Sequence, residues 1–178
     1  AAEEFIRDGI PVPSEYEYVR PMLEQLNQIP GVKYCEFEMG LREDLTACGF
    51  HDEDRWWRGI ADLLIINDDN LTARVVDYKT GKSARYADTK QLDLLAGAVF
   101  AHYPEVTVVK SALAFVVSGE FIPKVHMRIE KRTYMSVFNT QLDALDTAAE
   151  SGIWNPKAGP LCGWCPVESC EHWKPRRK

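Results

Sequence analysis

Apolar residues recur along this chain with two different periods, and the changes of period mark out its elements. Residues 1–8 read as the end of an amphipathic helix, closed by Gly9 and the Pro11/Pro13 pair. Between Glu15 and Gln28, the positions of Tyr18, Met22, Leu23 and Leu26 predict a helix, which Pro30-Gly31 ends. Val32 to Leu41 predicts a strand, with Val32, Tyr34, Glu36 and Glu38 on one side. Residues 42–54 are polar and read as a loop or hairpin tip. Trp56 to Ile66 and Leu71 to Lys79 predict two strands joined by the turn Asn67-Asp68-Asp69-Asn70. Thr89 to His102 predicts a helix, with Leu92, Leu95, Ala96 and Val99 on one face and Pro104 closing it. Val106 to Val117 and Phe121 to Ile129 predict a second hairpin around Ser118-Gly119-Glu120, and Arg132 to Ser151 a long helix. Residues 156–178 are irregular. The order is helix, three strands, helix, two strands, helix, which implies an α/β fold with a mixed central sheet flanked by helices. One core is expected over residues 1–155, with the Cys-rich segment 156–178 packed on it.

The central hairpin carries the most specific chemistry. With Asn67–Asn70 as the turn, Ile66 opposes Leu71, Asp62 opposes Val75, and Asp77 opposes Ile60. Val75, Asp77 and Lys79 then share a face, because strand side chains alternate. Asp62 lies on that face, diagonal to Asp77 at about 7–8 Å between backbones. Two carboxylates converging from apolar strands are costly unless a cation lies between them. Hard oxygen ligands suit Mg²⁺ or Mn²⁺, and the Tyr78 carbonyl offers a third oxygen. Lys79, one pleat on, is placed to hold a nucleophilic water or to offset charge developing on phosphorus. Set against this is the ordinary alternative of a sheet-surface ion pair.

Composition narrows the class without choosing the chemistry. The 178 residues, 46% hydrophobic and 11% aromatic, fit a folded single-core protein. No apolar run of about 18 residues is present, so no membrane span or membrane partner is expected. The acidic, amphipathic start is unlike a signal peptide, and a soluble cytoplasmic protein is expected. The net charge of −6 argues against a broad DNA-wrapping surface. That charge is uneven: residues 1–60 hold thirteen acids against six bases, and the stretch Lys174 to Lys178 holds four positive charges. Arg55, Arg58, Lys82, Arg85 and Lys90 surround the hairpin and are candidate phosphate contacts. Of five cysteines, Cys162, Cys165 and Cys170 are crowded together, and their spacing suits a tetrahedral zinc or an iron–sulfur corner rather than a disulfide scaffold. Cys35, Cys48 and His172 are candidates for a fourth ligand, and three unliganded thiols are the plain alternative. Trp154, Trp164 and Trp173 lie nearby, and core packing is expected of at least two. Of Trp56 and Trp57, one is expected inside and the other at the cleft.

Gly59-x-x-Asp62, Asp77-Tyr78-Lys79 and Gln91 together resemble the PD-(D/E)XK nuclease superfamily in its RecB-like branch, which includes phage exonucleases. Leu161-Cys162-Gly163-Trp164-Cys165-Pro166 with Cys170 is similar to the C-terminal signature of the phage-type proteins. The likeness covers roughly residues 1–173. It implies a restriction-endonuclease-like core, metal binding by Asp62, Asp77 and the Tyr78 carbonyl, and a catalytic Lys79. Gln91 matches the glutamine of a Q-x-x-x-Y motif, in which Leu95 replaces the tyrosine. The resemblance also implies a metal-binding histidine and a cysteine ahead of Ala1; none of His51, His102, His126 and His172 fits that histidine's place. With that cysteine, Cys162, Cys165 and Cys170 would hold a 4Fe–4S cluster.

The function so implied is a Mg²⁺- or Mn²⁺-dependent deoxyribonuclease, an exonuclease acting on DNA ends or single strands. Its setting would be phage-type recombination, replication or degradation, with recombination or replication proteins as partners and the host cytoplasm as its location. The alternative is a catalytically weak DNA-binding or assembly subunit with the same fold. A zinc-ribbon interaction module would account for the tail alone.

Overall fold

A computed structural model describes residues 1–85 and 87–174. The chain divides into two compact units, Ala1–Ser136 and Val137–Lys178. The first is built on a six-stranded sheet: β1 (Val32–Leu41), β2 (Ala47–Cys48), β3 (Trp57–Ile66), β4 (Thr72–Lys79), β5 (Val108–Phe115) and β6 (Glu120–Met127). The strand order is β2-β1-β3-β4-β5-β6. All neighbours are antiparallel except β4 and β5, which run parallel because helix α3 (Lys90–His102) carries the chain between them. Pro123 opposes Ala112 in β6, the strand at the sheet edge, where a missing N–H is tolerated.

Each face of the sheet is covered by helix. Helix α1 (Ala2–Asp8), a 3-10 turn (Ser14–Val19) and α2 (Arg20–Asn27) bring Ile6, Val12, Val19, Met22, Leu23 and Leu26 onto Leu63, Ile65, Val76 and Ala114. The apolar stripe of α3, Leu92, Leu95, Ala96 and Val99, is buried as its spacing predicts. The first turns of helix α4 (Lys131–Ser151) bring Met135 against α3 at Gly97, where a Cβ would sit 2.8 Å from the Met135 Sδ. Gly31 is required at the entry to β1: its φ is +125° and a Cβ there would overlap the Ile66 carbonyl.

A buried polar network fastens α3 to the far edge of the sheet. Asp93 on α3 accepts from His126 Nε2 at 2.7 Å and pairs with Lys124 Nζ at 2.6 Å, both through Oδ1. His126 is 2% exposed and stacks edge-on against Tyr134. Ser111 Oγ lies 3.4 Å from His126 Nδ1. Burial pushes the His126 imidazole below its usual range, while Asp93 pulls it partly back.

Two elements differ from the sequence expectation. The 42–54 stretch contributes the short strand β2, with Gly40 opposite Cys48 and Leu41 opposite Ala47. The expected helix from Glu15 begins as the 3-10 turn, and the α-helical bonding starts only at Arg20, with Pro21 in its first turn. Among the described residues no helix is long and apolar enough to cross a membrane.

Candidate active site

The central hairpin is shifted by two residues from the expected register. Ile66 opposes Ala73, and Leu63 opposes Val76. Leu71 is not a ladder partner: its carbonyl accepts the amides of Thr107 and Val108, and Asp69 Oδ1 caps the amides of Leu71 and Thr72. The loop is therefore longer than four residues, and its Asn70 takes a left-handed φ of 54°. A shift of two leaves the alternation intact, so Asp62 still shares a face with Asp77 and Lys79. It does bring Asp62 level with Asp77 rather than diagonal to it.

β3 and β4 are bonded only from Leu63–Ile66 to Ala73–Val76. Beyond that point β3 continues against β1 and β4 against β5. The two strands part where the acids lie. Asp62 fills the gap, its Oδ2 accepting the Tyr78 backbone N–H at 2.6 Å. Gly59, three residues earlier, carries the Trp57 indole over its Cα; a Cβ there would be 2.4 Å from the ring.

Asp77, Lys79 and Gln91 complete the group. Lys79 Nζ lies 2.6 Å from Asp77 Oδ2 and donates to Gln91 Oε1 at 3.1 Å. The Lys79–Asp77 contact is a charge pair without hydrogen-bond alignment, and Asp77 Oδ2 has no other donor although it is buried. Burial raises the Asp62 carboxyl above the usual range; the Tyr78 N–H opposes this, the Asp77 charge adds to it, and Lys79 opposes it. A buried carboxylate oxygen held by a single ammonium, beside a second carboxyl raised by desolvation, is a donor set that fits a hard divalent cation. The Tyr78 side chain points to the α1/α2 side, where its hydroxyl is buried without a partner and burial holds the phenol well above its usual range.

Glu36 belongs near this group, and its place was not legible in the strand pattern. The β1–β3 ladder pairs Cys35 with Leu63 and Phe37 with Ala61, passing over Glu36 opposite Asp62. Glu36 has a φ of 51°, a strained conformation for a side chain with a Cβ. Burial and then the charge of Asp62 raise its carboxyl. Leu95, where the Q-x-x-x-Y pattern has tyrosine, is 4% exposed and part of the core.

Other candidates fall elsewhere. Arg58 lies over the Phe50 ring, and Arg55 donates to the Asp52 carbonyl, so both engage the loop that leads into β3. Trp56 and Trp57 are both half-buried. Among the described residues, the group whose potential ligand atoms all lie within 4.8 Å is Cys48, Asp52 and Asp54. Arg42 already pairs with both of its carboxylates, at 2.6 Å from Asp54 and 3.7 Å from Asp52.

In the second unit, Cys162, Cys165 and Cys170 are free thiols of intermediate exposure, and their sulfurs do not all lie within 4.8 Å of one another. Gly159 N–H donates to Cys162 Sγ at 3.3 Å, and Trp173 Nε1 donates to the Cys165 carbonyl at 3.0 Å. The tryptophan expectation is corrected: Trp154 and Trp164 are 63% and 65% exposed, because this segment of short turns encloses little interior, and only Trp173 is partly covered. The expected basic run continues past Lys174 outside the described residues.

A family model described as the PD-(D/E)XK nuclease superfamily matches residues 14–170. No curated protein matches the chain.

Proposed function

We propose that this chain, which belongs to the PD-(D/E)XK nuclease superfamily, is a metal-dependent deoxyribonuclease with Asp62, Asp77, Lys79 and Gln91 as its working side chains. The observation that carries this reading is the parting of β3 and β4, which delivers two carboxylates, an ammonium and an amide to one opening. Asp62 and Asp77, with the Tyr78 carbonyl, would hold a Mg²⁺ or Mn²⁺ ion. That ion supplies Lewis acidity towards a phosphate oxygen and lowers the pKa of water.

The protein's own groups do the rest. Asp62 is fixed by the Tyr78 amide, so its free oxygen is pre-aimed. Gln91 holds the Lys79 ammonium, which keeps a positive charge where negative charge grows during phosphodiester cleavage. The finer assignment is an exonuclease of the RecB-like branch, working on DNA ends or single strands in phage-type recombination, replication or degradation. The motif set from Gly59 to Gln91 and the C-terminal cysteines support it. Cys162, Cys165 and Cys170 are assigned as thiolate ligands of a 4Fe–4S cluster or of zinc, and metal analysis of the purified protein distinguishes the two.

The test is hydrolysis of end-labelled DNA with and without Mg²⁺ or Mn²⁺. Lys79→Ala and Asp77→Ala, checked as folded by circular dichroism, are expected to lose about a hundredfold or more of the rate. Full metal-dependent activity in both variants would overturn the assignment.

A further inference from the structure

Beside Lys79 and Gln91 the first unit holds a cavity of about 260 Å³, lined also by Ser83, Ala87, Asp88, Leu113 and Phe115. Its chemistry is divided. Leu113 and Phe115, 1% and 6% exposed, are apolar residues of β5, on the same side of the sheet as Lys79. Ser83 and Asp88 are exposed and polar. Asp88 Oδ1 takes the Lys90 amide at 2.9 Å, which leaves its other oxygen as an acceptor.

A phosphate does not suit this cavity. Among the described residues its one cationic lining residue is Lys79, already paired with Asp77, and Asp88 would repel an anion. A flat ring with a hydrogen-bonding edge does suit it: apolar contact on one side and amide, hydroxyl and carboxylate groups on the other. The volume is below the roughly 300 Å³ at which drug-sized sites begin, so it admits a single ring system and excludes a base pair. A DNA strand whose phosphate lies at Lys79 carries a base on the adjoining sugar, within reach of the cavity. Pockets that read extruded bases combine the same two features, apolar faces and polar edge contacts.

We infer that this cavity takes one unpaired nucleobase next to the scissile phosphate, so the substrate is single-stranded DNA or a frayed end. The inference rests on the nuclease reading above and adds to it a subsite for a single base. A base in the cavity offers its exocyclic amine or ring N–H to Asp88, accepts from the Gln91 amide nitrogen through a ring nitrogen or carbonyl, and rests against the apolar edge formed by Leu113 and Phe115.

The experiment scans an abasic residue through a fluorescent single-stranded oligonucleotide and measures binding to the whole chain by anisotropy in EDTA, where cleavage does not occur. One position is expected to weaken binding by roughly 5- to 100-fold, the range for loss of one stacked base. Ala87→Phe, which fills the cavity from its rim, is expected to flatten that profile; Phe115→Ala is a second variant if Ala87→Phe fails to fold. The wild-type scan needs no variant at all. A flat wild-type scan, or tighter binding of blunt duplex than of single strand, overturns the inference while metal-dependent cleavage still stands. Absence of cleavage of any DNA by the wild-type chain overturns the nuclease reading, and this inference with it.

Discussion

Replacing Asp93 by alanine removes the shared anchor of the network that ties α3 to β6. Its two partners differ in what they lose. Lys124 is about a third exposed, so its ammonium can turn to water, and the loss of a partly exposed pair costs at most about 1 kcal/mol. His126 is 2% exposed and cannot. Its Nε2–H is left without an acceptor, at a cost of about 1–3 kcal/mol. The expected loss is therefore about 2–3 kcal/mol, or a fall in Tm of roughly 5–10 °C for a chain of this size. Asp93→Asn keeps an acceptor and is expected to lose about half as much.

The pH dependence gives a second reading of the same contact. Because burial lowers the His126 pKa, the unfolded chain takes up a proton near pH 6.5 that the folded chain resists. Wild-type stability is thus full above about pH 6.5 and declines as pH falls towards the folded pKa. Without Asp93 the imidazole is still harder to protonate, so the decline extends to lower pH. Urea unfolding at several pH values measures both effects. A change below about 0.5 kcal/mol in Asp93→Ala, or stability that rises on acidification only in that variant, would refute the reasoning. Since α3 also carries Gln91, the variant should lose some cleavage rate, but less than Lys79→Ala.

Two further substitutions follow from the site. Leu95→Tyr restores the motif residue but places a hydroxyl and extra volume in a core position that is 4% exposed; it is expected to destabilise by about 1–3 kcal/mol in thermal unfolding, and a stable, more active variant would show that the position faces the cleft. Glu36→Gly relieves the left-handed φ of 51° and removes a carboxylate beside Asp62; a gain of about 1 kcal/mol is expected from the same measurement, and a loss would mean that the glutamate makes a stabilising contact.

What the sequence made legible, and what it hid, follows from the range of each interaction. The strands and helices are local, and periods of 2.0 and 3.6 mark them within a few residues of their observed ends. The α/β class follows from their order, and the family match agrees with it. Long-range contacts leave no such trace. Asp93 and His126 are 33 residues apart, and an acid in an apolar helix stripe says nothing of which strand it will meet. The left-handed Glu36 and the interrupted pairing opposite Asp62 are equally silent, since a glutamate in a strand pattern reads as solvent-facing.

The hairpin register lies between these cases. The turn signal Asn67–Asn70 placed the pairing two residues away, because Leu71 bonds to the start of β5 and lengthens the loop. A slip of one would have sent Asp62 to the α1/α2 side, away from Lys79 and Gln91. A slip of two keeps every side chain on its face. Which residues meet at the opening depends on strand parity, and parity is written in the alternation of β3 and β4 themselves. How closely Asp62 and Asp77 approach depends on the loop, so only the structure brings them level.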